Sequence, residues 1–179
     1  MPFEILRNDI TQMKADAIVN TANPRPVIGL GVDSAIHEKA GPELLAARQK
    51  IGPIAMGQAA ITPAFRLPAK YVIHTVGPVW DGGSYGEEDL LRSCYAQSLR
   101  LALDHGCKSI AFPLIATNTY GFPKDQALQI AVSTILGIYM KIIADAVLVF
   151  RIAESAFKLP GAPERTIGIA VHLKYRRQI

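Results

Sequence analysis

The sequence predicts an α/β domain in which a largely parallel sheet carries helices on both faces. Short apolar runs alternate with helically spaced segments through most of its 179 residues, the pattern of repeated strand–helix units. Half of the residues are hydrophobic and 19% are charged, enough apolar material for one closed core. Loops rich in glycine or small polar residues follow two of the apolar runs, where open α/β sheets bind their ligands.

Phe3 to Arg7 alternates loosely and reads as an edge strand, followed by the turn-like Asp9-Ile10-Thr11. Ala17 to Asn20 is a short continuous apolar run, as in a buried strand. Asn20 to Gly31 reads as loop, and Val32 to Lys39 has helical spacing up to the break at Gly41-Pro42. Glu43 to Gln49 continues as a second helical piece. Strands are expected at Gln58–Thr62 and at Tyr71–Val76, the latter rich in β-branched and aromatic residues and stopped by Gly77-Pro78. Glu87 to Asp104 is the clearest helix, opened by acidic residues, striped by Leu91, Cys94, Tyr95 and Leu99, and closed by Gly106. Ser109 to Phe112 reads as a buried strand. Pro123 suits the first turn of a helix running to about Ile143. Ala146 to Phe150 reads as a last central strand, and Thr166 to Leu173 as a strand in a poorly patterned tail.

Several classes of function are disfavoured by composition. No apolar run reaches the roughly 18 residues of a membrane helix, and the N-terminus has no apolar stretch of the kind that opens a secretory signal. The chain is therefore expected to be soluble and cytoplasmic, without a membrane partner. The two cysteines, Cys94 and Cys107, form no metal-spacing pair and read as reduced thiols. A net charge of +4 suits an anionic ligand. The only basic cluster, Lys174, Arg176 and Arg177, reads as a solvated tail and argues against a nucleic-acid partner. No phosphate-binding Walker loop, zinc-protease or serine-hydrolase motif is present, and nothing calls for a metal or a cofactor.

Two loops have the chemistry to hold a phosphate. In the first, Asn23 to Asp33, Gly29 and Gly31 let backbone approach a ligand, and the following helix start supplies unpaired N–H groups. An ordinary tight turn explains the glycines about as well. In the second, Ala116 to Gly121, small and polar residues could wrap a diphosphate, although an ordinary connection has the same composition. Asp33 could bind ribose hydroxyls or position a water, or serve only the helix start. His37 reads as a packing or surface histidine, and His74, within a strand, as a hydrogen-bonded core residue.

In combination these segments become specific. Asn8-Asp9-Ile10-Thr11, Asp16 to Asn23, Gly31 to His37, Leu67 to Lys70, Val72 to Pro78, Ser109 to Pro113 and Tyr120 to Pro123 resemble the macrodomain family in order and spacing over roughly residues 1–150, most closely the MacroD-type branch that processes ADP-ribose derivatives. The resemblance implies a single domain over 1–179, a three-layer α/β/α sandwich around a mixed, largely parallel sheet, with 158–179 as a divergent C-terminal segment. It also implies roles. Asp9 would bond the adenine amino group beside the Ile10 backbone, and Phe150 would pack on the adenine. Asn23 and Asp33 would face the distal ribose as the catalytic pair, with Asp33 orienting or activating a water. Gly29, Leu30, Gly31 and Val32 would enclose the diphosphate together with Ala116, Thr117, Asn118, Thr119 and Tyr120, the last near the distal ribose. The partner would be ADP-ribose or its derivatives, free or on acidic side chains of modified proteins.

The chain departs from the family at four places. Ile28-Gly29-Leu30-Gly31 replaces a run of glycines, and a leucine forced to φ > 0 would cost on the order of 1–2 kcal/mol. Ala116-Thr117-Asn118 replaces a hydroxyl- and glycine-bearing loop, with Asn118 the milder change because Asn tolerates the left-handed region. Arg151 stands where Asp is common, and a closing helix is missing after Ala156. These changes predict weakened ADP-ribose binding. Three functions follow: hydrolysis of mono-ADP-ribosyl or O-acetyl-ADP-ribose esters, nucleotide binding without turnover, or a ligand-deficient interaction domain. Retention of Asn23 and Asp33 favours the first, and the altered loops the second.

Overall fold

The computed structural model describes residues 3–144 and 167–172. In chain order the elements are β1 (Phe3–Arg7), a 3-10 turn (Ile10–Gln12), β2 (Ala17–Thr21), α1 (Val32–Ala40), α2 (Pro42–Ile51), β3 (Ala59–Pro63), β4 (Tyr71–Thr75), α3 (Glu87–Asp104), β5 (Ser109–Pro113), α4 (Lys124–Ala144) and β6 (Ile167–His172). Each strand and helix predicted within the described residues is present, with ends moved by a residue or two. Pro123 sits just ahead of α4 rather than inside it, where its carbonyl accepts the first turn's Ala127 N–H at 2.9 Å. The strand expected at Ala146–Phe150 lies outside the described residues, as do Phe150 and Arg151.

The six strands form one sheet in the order β1-β6-β5-β2-β4-β3. β2 pairs in parallel with both β4 and β5, while β3 runs antiparallel to β4. β6 runs antiparallel to β5 and to β1. Consequently β1, β5, β2 and β4 all point the same way, and the sheet is mixed with a parallel majority. The tail strand foreseen near Thr166 is therefore no appendage. Its Gly168 lies between Leu6 on one side and Pro113 on the other.

Strand alternation sorts the apolar side chains into two cores. Ile18, Val72 and Ala111 point to one face, where they meet Ile36 and Ala40 of α1 and Leu44 of α2. Ala17, Val19, Ile73, Ile110 and Phe112 point to the other, against Leu91, Cys94, Tyr95 and Leu99 of α3 and Ala127, Ala131 and Ile135 of α4. This is the three-layer sandwich that the alternation predicts. Each fully buried Ile or Phe contributes about 1.5–3 kcal/mol by leaving water, which fixes the register of the central strands.

Because β1, β5, β2 and β4 are co-directional, their carboxyl ends share one edge of the sheet, and so do the loops that follow them. The loop before α3 is tied down there by the buried Glu87 carboxylate, which accepts N–H bonds from Asp81, Gly83 and Tyr85 at 2.7–3.1 Å. Its burial alone would raise its pKa, but those backbone donors outweigh it and hold the carboxyl below its usual range. Trp80 then packs on Phe122 with ring centroids 4.6 Å apart, and its backbone N–H donates to the Tyr120 carbonyl at 2.8 Å.

Candidate functional site

The two predicted loops converge. Asn23, Gly29, Leu30, Gly31, Val32 and Asp33 form one wall of a cleft of about 220 Å³, and Ala116 to Tyr120 form the other, with Ala22 and Gly77 between them. Among the described residues, neither lysine nor arginine lines it. The donors it offers come from the backbone. Among the described residues, no hydrogen bond takes the N–H groups of Leu30 to Ser34 or those of Ala116 to Tyr120. The first set opens α1, whose dipole adds partial positive charge. Two runs of unpaired amides bordering one cleft make a nest for a diphosphate-sized anion.

The departures foreseen in these loops fall elsewhere than expected. Leu30 does not adopt a positive φ; among the described non-glycine residues only Phe65 and Ala116 do. The left-handed residue of the first loop is Gly31, at φ 64°. Leu30 is 78% exposed and lies over the cleft rather than filling it. In the second loop the left-handed residue is Ala116, at φ 65°, and not Asn118. The strain assigned to Leu30 thus resides at Ala116, whose Cβ packs closely on Gly77: a Cβ placed on Gly77 would lie 3.1 Å away. The substituted glycine positions did not reveal this, because a loop's path decides which residue turns left-handed.

Asp33 is buried at the base of the first wall. Its Oδ2 accepts the Gly29 N–H at 2.5 Å, and its Oδ1 accepts the Asn20 side-chain amide at 2.5 Å. Asn20, at the end of β2, also contacts His74 Nδ1 at 3.1 Å, and His74 Nε2 contacts Thr62 Oγ1 at 3.0 Å. These contacts fix the protons. Asn20 turns its amino group toward a carboxylate, so its second N–H donates to His74 Nδ1, and Nε2 carries the imidazole proton toward Thr62. Burial, and then the positive charge of Arg48, push the His74 pKa down to about 3, so the ring is neutral.

His37 is buried, the packing alternative of its sequence reading, with Nε2 3.6 Å from Asp33 Oδ1. Burial lowers its pKa more than Asp33 raises it. His74 is the hydrogen-bonded core residue the sequence suggested. Asn20, Thr62 and Arg48 were not singled out. Arg48 had a signal, since it falls on the same stripe of α2 as Leu44, four residues earlier, and a charge on an apolar stripe is conspicuous.

Asn23 is half-buried, and its amide nitrogen would lie 3.7 Å from a Cβ placed on Gly29, next to Asp33. Asp9 and Ile10 do not line the cleft. Asp9 is exposed and caps the 3-10 turn, accepting the Thr11 N–H at 2.9 Å and hydroxyl at 2.8 Å. It nevertheless follows the carboxyl end of β1, on the same sheet edge as both loops. The adenine position expected for Phe150 falls outside the described residues.

Fold and cleft together define an α/β/α sandwich that presents backbone amides to an anion at the carboxyl edge of its sheet. The Macro domain family profile matches residues 19–131, and the chain belongs to that family. A macro domain-containing protein of Chlorobaculum tepidum is 54% identical over 139 residues, covering 75% of this chain and 81% of its own. An O-acetyl-ADP-ribose deacetylase of Citrobacter rodentium is 54% identical over 137 residues, covering 74% and 77%. The Oceanobacillus iheyensis macrodomain, solved with ADP, is 37% identical with a TM-score of 0.71, covering 75% of this chain and 81% of that one. That protein has also been solved with an Asn and an Asp, ten residues apart, each replaced by Ala. A further form carries Val in place of a Gly three residues before that Asp, and holds ADPR.

Proposed function

We propose that this chain binds ADP-ribose in the cleft and hydrolyses esters of its distal ribose, O-acetyl-ADP-ribose or ADP-ribose on acidic side chains of modified proteins. The observation that carries the reading is the convergence of two runs of unpaired amides beside Asn23 and Asp33. Those two residues are ten apart in sequence, the separation of the Asn and Asp replaced in the Oceanobacillus macrodomain. Leu30 stands three before Asp33, the position at which the Gly-to-Val form of that protein holds ADPR, so a side chain there is compatible with the ligand.

In this reading the amides of residues 30–34 and 116–120 take the diphosphate, and Asn23 holds a ribose hydroxyl. A water adds to the acyl carbonyl carbon and gives up a proton to Asp33. The bond from that carbon to the ribose oxygen breaks, Asp33 returns the proton to the ribose oxygen, and the acid leaves. Asp33 positions the water and the Gly29 turn. Placement and preorganised dipoles supply most of the acceleration. Asp9 and the Ile10 backbone, on the same edge, are suited to the adenine amino group and ring.

Calorimetric titration with ADP-ribose tests the ligand, and no saturable binding would overturn the reading. Release of ADP-ribose from O-acetyl-ADP-ribose and from a glutamate-modified protein tests the reaction. Asp33→Ala should slow it by about 100-fold or more. Binding without release would leave a nucleotide-holding module, and equal rates would remove Asp33 from the mechanism.

A further inference from the structure

Arg48 is 2% exposed, and among the described residues no carboxylate lies within ion-pair distance of it. Its guanidinium is spent on carbonyls instead. One terminal nitrogen reaches Asn23 O at 3.2 Å and Pro24 O at 3.3 Å, and the other bonds Gly52 O just past the end of α2. A buried cation satisfied only by neutral acceptors is costly, and apolar replacements of such groups are commonly tolerated. Its geometry is nevertheless specific. A planar fork joins two separate segments, the end of α2 and the chain leaving β2, and a lysine could not hold both in the same way. The segment it grips begins at Asn23, whose side chain stands beside Gly29 and Asp33.

We propose that Arg48 is a positioning residue of the cleft: by holding the Asn23 and Pro24 carbonyls from beneath, it sets the Asn23 side chain against the distal end of the ligand. Resting on the proposed hydrolysis, this makes α2, which contributes nothing to the cleft wall, part of what orients the substrate. The guanidinium's positive charge also helps to lower the pKa of His37 and His74.

The test uses the full chain carrying Arg48→Lys or Arg48→Met, with Lys50→Met as a control that removes a charge from the exposed face of the same helix. The side-chain amide resonance of Asn23, assigned by its loss in Asn23→Ala, is followed without ligand, and kcat and KM are measured for O-acetyl-ADP-ribose. Arg48→Lys should move or broaden the Asn23 signal and lower kcat about tenfold with KM within about twofold, as a misplaced group does. Lys50→Met should do neither. An unmoved Asn23 signal in folded Arg48→Lys overturns the proposal, and so does a loss confined to KM. If the wild type turns over no ester, the hydrolytic reading fails while the Asn23 signal still decides the role of Arg48. Should Arg48→Met not fold, Arg48→Lys carries the decision.

Discussion

Asn20 donates one amide hydrogen to Asp33 and the other to His74, so a single side chain at the end of β2 couples the acidic group of the cleft to the buried interior. Its own carbonyl oxygen has no partner among the described residues. The arrangement permits only an amide there. Asn20→Asp would set a second carboxylate against the first, where like charges cannot both ionise comfortably. We expect that substitution to destabilise the fold by about 2–3 kcal/mol and to abolish most turnover. Urea denaturation and ester hydrolysis check it, and a variant as stable and active as wild type would refute the coupling.

His74 makes stability depend on acid. Its folded pKa of about 3 lies below the ordinary value of 6.5, so the unfolded chain binds the proton first. Stability is complete above about pH 6.5 and falls as the pH drops toward 3, at up to ~1.4 kcal/mol per unit. His37, also lowered by burial, acts in the same direction. Between pH 7.5 and pH 5, wild type should lose about 2 kcal/mol more than His74→Gln does. Parallel stability curves for the two proteins would show that His74 is not held neutral.

Ala116 occupies a left-handed conformation that an L-residue adopts at a cost of about 1–2 kcal/mol. Ala116→Gly removes that cost but frees the unfolded chain, so a net gain of about 0.5–1 kcal/mol is expected. Ala116→Val should lose stability instead, since a β-branched residue is poorly tolerated at φ > 0. Thermal denaturation of the pair checks the assignment; a destabilised glycine variant would place the strain elsewhere.

Leu30 carries no such strain. Restoring a glycine there should leave ADP-ribose affinity within about threefold, while lowering stability by about 0.5 kcal/mol through added chain freedom. Calorimetry on Leu30→Gly distinguishes this from the view that the leucine obstructs the ligand, which demands much tighter binding by the variant.

These cases show where the sequence is transparent. The strands at Ala17, Tyr71 and Ser109 are legible because continuous burial selects short runs of mostly apolar and β-branched residues, and the two loops because their composition contrasts with the runs before them. Their meeting in one cleft follows from parallel strands alone. What eluded inspection depends on three-dimensional contact. Asn20 reads as the polar end of an apolar run until Asp33 and His74 are placed around it. Arg48 reads as a surface helix residue until the chain leaving β2 is laid on it. No local pattern in 167–172 says that this strand lies between β1 and β5.

That last placement has a consequence for biosynthesis. Among the described strands β1 pairs only with β6, and Phe3 finds its partner in Val171. Both loops of the cleft and the core that buries Ile10 are complete once Tyr120 has emerged from the ribosome, but β1, which leads into Asp9, has no strand to pair with until β6 is made. The nascent chain therefore assembles the parallel centre of its sheet first, and the pairing of its first strand, which spans most of the described sequence, is among the last contacts to form.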